Sequence, residues 1–250
     1  MADPVDVLAF AAHPDDVEVF AGGTVATLVR QGYRVAVVDL TRGELGSRGT
    51  VEERAREARN ASRILGLHSR ENLGLPDGDI ADTSENRWRV IRTVRKYRPH
   101  LALIGAPDCR HPDHVDATRL LAKAIWQSGL VQITSLEEGV PQEPWRPAHV
   151  FHYMQHRPFE PTLVVDVSEA WEVRMEALYA FASQFPRPGS APEGPTTFIS
   201  DPAFVDSLEA RAREWGFRIG VRYGEPLLYR QGPFGVTDLV SAFPGARPHR

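Results

Sequence analysis

The chain has 250 residues, 42% of them apolar, and a formal net charge of −4. That supplies one substantial core, and the length favours a single α/β domain over two small ones. The charge leaves no basic footprint for nucleic acid, no window reaches the ~20 apolar residues of a membrane helix, and a lone cysteine, Cys109, excludes an internal disulfide framework. With no charged n-region and apolar h-region at the N-terminus, no signal peptide is visible, and a reducing cytoplasm is the expected location.

The run Val5-Asp6-Val7-Leu8-Ala9-Phe10-Ala11-Ala12, mostly small and β-branched, predicts a buried strand. It ends in His13-Pro14-Asp15-Asp16, and a glycine pair, Gly22-Gly23, then opens a helical pattern. In an open α/β sheet the ligand crevice lies beyond the carboxyl ends of the strands, which is where these three ionisable groups would stand. Pro14 pushes His13 toward an extended backbone. His13 and Asp16 can then turn back on one point, as two metal ligands must, while Asp15 projects elsewhere, within reach of a metal-bound water. Taken alone, the two carboxylates are explained as well by capping of the next helix.

A helix is expected from Gly22 to Gln31, ended by Gly32, then a valine-rich strand from Arg34 to Leu40. Thr41 to Thr50, with Gly43, Gly46 and Gly49, reads as a loop on the crevice side of the sheet. Its Arg42, Glu44 and Arg48 are candidates for gripping a polar, anionic substrate, since arginine forks match carboxylates. Thr50 and Glu53 form a capping-box pattern for a helix that Gly66 stops after Leu65, with Arg54 on its first turn aimed at the pocket. A short strand over Asn72–Leu75, a turn over Pro76–Asp79 and a helix capped by Ser84, with Trp88, Ile91 and Val94 in the core, complete this stretch.

Leu101–Ala106 is a second apolar strand, followed by Cys109-Arg110-His111-Pro112-Asp113-His114 and a helical pattern to Gln127. A strand therefore ends twice in His-Pro-Asp with a helix behind it. His111 and His114 share one face of a helix start, with Pro112 suited to its first turn. Joined, the two clusters offer two histidines and one carboxylate with coordination positions left open. Zinc accepts that set with water in the fourth position, and so does non-haem iron(II). Spacing alone does not choose the metal, nor say which of His111 and His114 binds it.

Residues 129–147 are Pro- and Glu-rich and read as a flap or a subunit contact. Strands follow at Ala148–Met154 and Leu163–Val167, then a helix from Ser168 through Ala182 and a loop from Phe185 to Thr197. Asp201-Pro202 starts a helix with Phe204, Leu208, Ala212 and Trp215 on one face and Gly216 as its stop. Segments 218–222 and 226–229 look like final strands, and residues 236–250 like a loosely held tail. The expected fold is a single three-layer α/β domain over 1–250: a Rossmann-like, mostly parallel sheet with helices on both faces and the active site at the strand C-terminal ends.

Ala12-His13-Pro14-Asp15-Asp16 and His111-Pro112-Asp113-His114 together resemble the LmbE/PIG-L family of zinc-dependent N-acetylglucosaminyl deacetylases. The stretches Asp39–Thr50 and Arg70–Gly78 look like the branch that deacetylates N-acetyl-α-D-glucosaminyl L-malate in bacillithiol biosynthesis. The resemblance implies that His13, Asp16 and His114 hold Zn2+ (or Fe2+ or another divalent ion) and that Asp15 is the general base. It makes His111 the oxyanion stabiliser or proton donor, oriented by Asp113, and Arg54 and Arg110 substrate-binding residues. It further implies a small-molecule substrate and a homo-oligomer, a hexamer among the options. Cys109 stands where the family has an acidic residue, and Ser183-Gln184-Phe185 offers no counterpart to the family's pocket tyrosine. The competing readings are a sibling amidase acting on another glycan or thiol conjugate, an iron(II) oxygenase, whose usual jelly roll the strand–helix alternation disfavours, and a non-catalytic sugar-binding protein.

Overall fold

In chain order the computed structural model runs β1 (Val7–Ala11), α1 (Asp16–Phe20), α2 (Gly22–Arg30), β2 (Val35–Thr41), α3 (Val51–Leu65), β3 (Ser69–Leu75), α4 (Ser84–Tyr97) and β4 (Leu101–Ile104). It continues α5 (Pro112–Ser128), β5 (Leu136–Glu137), β6 (Val140–Pro141), β7 (His149–Tyr153), β8 (Leu163–Asp166), α6 (Trp171–Tyr179), α7 (Pro202–Arg218) and β9 (Gly224–Tyr229). The structure describes residues 3–187, 189, 194–233, 235 and 237, so the expected tail falls outside them except at position 237.

Seven strands form one sheet in the order β3-β2-β1-β4-β7-β9-β8. The first five are parallel, and β9 runs antiparallel to both β7 and β8. The period-two alternation of the strands explains the three layers. Val7, Ala9 and Ala11 of β1, with Val35 and Val37 of β2, face one core with Val25, Ala61, Leu65, Leu178 and Leu208 from α2, α3, α6 and α7. Leu8, Phe10, Ala36, Val38 and Ile104 face the other, built with Val90 and Val94 of α4 and Leu120 and Ile125 of α5. Central strands covered on both faces read as apolar runs, as β1 does throughout and β2 does over Val35–Val38 before Asp39 interrupts it.

The helix ends follow local chemistry. Thr50 Oγ1 accepts the Glu53 amide at 3.1 Å, and Gly66 closes α3 with φ 71°. Beneath the crevice, Arg70 of β3 bonds Glu18 of α1 and Asp39 of β2, so a buried ion triad clamps the short helix to the sheet.

Several expected boundaries move. An extra helix, α1, begins at Asp16 before Gly22 is reached. Thr83, not Ser84, caps α4, and Trp88 is 38% exposed, displaced around α4 from the buried stripe of Val90, Ile91, Val94 and Tyr97. The helix α6 starts at Trp171, three residues after Ser168. Gly216 does not end α7, which continues to Arg218. The glycine is needed because a Cβ there would sit 2.8 Å from the Tyr223 amide nitrogen. Residues 218–222 are accordingly the end of α7 and a turn, and the last strand begins at Gly224. Residues 129–147 carry the small β5–β6 hairpin, pinned to α4 by Arg95, which donates to the carbonyls of Ser128, Leu130 and Ile133. None of them lines the crevice described next.

A candidate metal centre between two strand ends

β1 lies between β2 and β4, and the winding of the sheet reverses between β1 and β4. Val7 stands opposite Leu101 and Ala9 opposite Leu103, so the segments after the two strands leave the sheet side by side. This is a topological switch point, where open α/β sheets bind ligands. A cleft of about 350 Å³ opens there, lined by His13, Asp15, Asp16, His111, Asp113 and His114 with parts of the 45–47 and 77–78 turns and the 184–204 segment. A larger open groove of about 1080 Å³ runs between β3, α4 and β5. Its charges are mostly spent on one another, as in Lys96–Glu71 and Arg89–Glu85, and nothing in it converges on a point.

His13 Nδ1 lies 3.6 Å from Asp16 Oδ2, and His114 Nε2 lies 3.2 Å from Asp16 Oδ1. One donor atom of each of the three residues falls within 4.8 Å of the other two. Ligands bound at ~2.0–2.1 Å to one tetrahedral ion stand about 3.3 Å apart, so the set fits a single zinc-sized cation. The turn that makes this geometry is held by Asp16 itself, whose Oδ2 accepts the His13 amide at 2.9 Å. Between the two, Asp15 takes φ 115°, a strained backbone for a residue with a Cβ. That twist turns its carboxylate away from Asp16 and onto Arg54, with Oδ2 accepting from Nη2 at 3.0 Å.

The electrostatics are those of a buried cluster. Burial pushes the Asp15 carboxyl up and the neighbouring Asp16 charge adds to this, so that it reaches about 7 although Arg54 pulls the other way. Burial works against a charge on His114, but Asp16 and Cys109 outweigh it and bring that residue to about 9. Asp16 is held well below the usual carboxylate range by His114 and His13 despite its burial. His111 is pushed down by burial and by its two histidine neighbours, and so is neutral at neutral pH. Its ring stacks on His114 with centroids 4.8 Å apart, at the exposed mouth of the cleft.

Asp113 departs from expectation. Its Oδ2 faces His13 Nε2 at 3.1 Å and accepts the Gly78 amide at 2.9 Å, so it steadies His13 in place of His111. The basic residues also spread out. Arg54 lines the cleft but is spent on Asp15 and on the carbonyls of Pro14 and Gly43. Arg48 is buried and donates to the Ser183 and Pro195 carbonyls, tying the 41–50 loop to the segment across the cleft. Arg42 lies outside the cleft, in a separate depression with Arg59 and Arg70. Glu44 accepts the Arg42 and Asp77 amides. Arg110 lies over the Phe198 ring, 3.9 Å from its centroid, near His156.

Two neighbours of the cluster have no signal in the sequence pattern. Asp77 Oδ1 meets His13 Nε2 at 3.0 Å across 64 residues of chain. Gln155 Nε2 lies 2.7 Å from His114 Nδ1, with Cys109 Sγ 3.2 Å from the same nitrogen, where the expected acidic residue would have been. Asp77 falls inside a stretch the sequence singles out, but there it reads as a turn residue. His156, just beyond the strand expected over 148–154, lines the cleft beside Phe20.

Fold and cleft together define a doubly wound α/β protein with a His–Asp–His cluster able to hold one cation at its switch point. Residues 8–125 match the family PIG-L, GlcNAc-PI de-N-acetylase. Diacetylchitobiose deacetylase of Thermococcus kodakarensis is 30% identical over 194 residues, covering 74% of this chain and 72% of that protein. A 1D-myo-inositol 2-acetamido-2-deoxy-alpha-D-glucopyranoside deacetylase of Mycobacterium sp. (strain JLS) is 30% identical, covering 80% of each. The conserved protein TT1542 of Thermus thermophilus superposes with a TM-score of 0.81 at 37% identity, covering 93% of this chain and 98% of that one. The chain belongs to the PIG-L family of metal-dependent deacetylases.

Proposed function

We propose that this chain hydrolyses the acetamide of an N-acetylglucosamine conjugate, using a zinc ion held by His13, Asp16 and His114. The observation that carries the reading is Asp15: a carboxylate between two donors of one cation site, turned off that site by a strained backbone and facing the cleft. A zinc ion there supplies a Lewis acid for the carbonyl and lowers the pKa of water toward neutrality. Asp15 takes the proton from the attacking water on its carboxylate and later passes it to the amine nitrogen, which leaves poorly until protonated. Arg54 aims the carboxylate without ligating anything itself.

His111, neutral and at the cleft mouth, donates an N–H to the carbonyl oxygen as charge builds on it. Asp113 acts on His13, holding the ring so that Nδ1 faces the cation position. Phe20 and His156, which line the cleft, offer apolar and edge-on surface for a sugar ring beside the cluster.

For the conjugate, N-acetyl-α-D-glucosaminyl L-malate in bacillithiol biosynthesis is the finer proposal. Of the four arginines first considered for its carboxylates, Arg42 points elsewhere and Arg48 and Arg54 are spent within the protein, which leaves Arg110 on its Phe198 shelf. The names of the relatives favour a second substrate set, diacetylchitobiose and N-acetylglucosaminyl inositol. Release of free amine from each of the three compounds by the zinc-loaded protein tests both levels. Hydrolysis of none of them overturns the deacetylase reading, and a preference for either neutral glycoside overturns the malate assignment.

A further inference from the structure

The turn after β3 and the loop after β2 hold each other through side chains. Glu44 Oε1 accepts the Asp77 amide at 3.1 Å, and Asp77 Oδ2 accepts the Leu45 amide at 2.8 Å. Gly78 closes the clasp, since its φ is 76° and a Cβ on it would stand 2.8 Å from the Leu45 side chain. The remaining oxygen of Asp77 faces His13 Nε2 at 3.0 Å. One carboxylate, only 7% exposed, thus spans the rim of the cleft and a residue of the cation site.

We propose that Asp77 is a positioning residue that couples the cleft rim to the metal centre, orienting His13 with one oxygen and fixing the 42–49 loop with the other. The inference rests on the zinc reading above. A metal-bound imidazole keeps its second nitrogen protonated, and a carboxylate at that N–H sets both tautomer and ring orientation. Here Nδ1 faces the cation position, which assigns Nε2–H to Asp77 and Asp113. Asp113 is anchored on Gly78 and Asp77 on Leu45, so of the two only Asp77 reports to the loop. Coupling of this kind is reciprocal: what the cation does to the loop, the loop does to the cation.

The test is Asp77→Asn, whose amide can accept from only one of the two donors. Zinc affinity by chelator competition is expected to fall about 10- to 100-fold, the usual range for an outer carboxylate on a ligand histidine. In the unaltered protein, zinc loading is expected to slow hydrogen exchange at the Leu45 amide, and that zinc-dependent protection should vanish in the variant. Glu44→Ala, which removes one bond of the clasp but keeps both Asp77 carboxylate contacts, should raise KM for an N-acetylglucosaminyl substrate and lower zinc affinity by less than Asp77→Asn does. Asp77→Ser, measured in parallel, guards against a folding defect particular to the amide. Unaltered zinc affinity in both Asp77 variants, or Leu45 protection indifferent to zinc, overturns the coupling. Both readouts need no turnover, so they decide the matter even if no acetylated sugar is hydrolysed.

Discussion

Asp15 takes its position at a cost. A left-handed φ on a residue with a side chain costs about 1–3 kcal/mol, and it persists here because both neighbours are tied down. Asn tolerates that backbone and removes only the charge, so Asp15→Asn is the informative change. Its kcat is expected to drop 10²- to 10⁴-fold in an amine-release assay with zinc still bound, the range for a lost general base. Protonation of the cluster makes a separate prediction for the metal-free protein. His114 sits at about 9 when folded against 6.5 unfolded, so the stability it adds is complete below about pH 6.5 and is lost as pH rises through about 9. Asp15, raised to about 7, keeps a proton in the folded state that the unfolded chain gives up above 3.8, so it too costs stability as pH rises from about 4 to 7. Zinc must displace the His114 proton, and its affinity therefore climbs over the same range. Melting temperatures of the metal-free protein should fall between pH 6.5 and 9 while chelator-competition affinity for zinc rises; parallel movement of the two would contradict the assignment of His114 as a ligand.

At the scale of elements, the helix that follows α1 of the cleft is supported at its start from β9, one strand in from the far edge of the sheet. Glu225 of β9 accepts the Gly23 and Thr24 amides of α2 at 2.9 and 2.6 Å, and Gly23 is close enough that a Cβ would stand 2.7 Å from its Oε1. Glu225→Ala leaves two buried donors without their acceptor, and a loss of about 2–3 kcal/mol in denaturant unfolding is expected. That contact spans 202 residues and is invisible to pattern reading, as is Asp77 on His13. What the pattern does expose is local. β1 and β4 are legible as apolar runs, and the two His-Pro-Asp segments as polar breaks at their ends, because burial on both faces removes any polar residue that chemistry does not require. The arginines escape such reading. Arg42 and Arg48 lie six residues apart on one loop, yet one leaves the cleft and the other is consumed by carbonyls from residues 183 and 195. A flexible side chain takes its direction from partners far along the chain. Gly216 misleads for the same reason: its role is an approach to residue 223, not the end of a helix.

For the whole molecule, the cation site joins the two halves of the winding. His13 and Asp16 follow β1, from which the sheet grows through β2 to β3; His114 follows β4, from which it grows through β7 to β9 and β8. In the metal-free protein Asp16 and His114 face each other across that seam, drawing charge from one another. A divalent ion there cross-links the segments that leave the sheet at its switch point, and because the unfolded chain does not bring position 16 to position 114, ion binding appears as folding free energy. At a hundredfold excess of free zinc over Kd this is about 2.7 kcal/mol. A domain of this size shifts by roughly 2–4 °C per kcal/mol, so zinc should raise the melting temperature by about 5–10 °C and a chelator should reverse it. His114→Ala should abolish most of that shift by breaking the bridge from the β4 side. Asp15→Asn should retain it, since that carboxylate faces Arg54 and not the cation. A full zinc response in His114→Ala would mean that the ion binds within the β1 segment alone, and the joint between the two halves would then have to be explained without it.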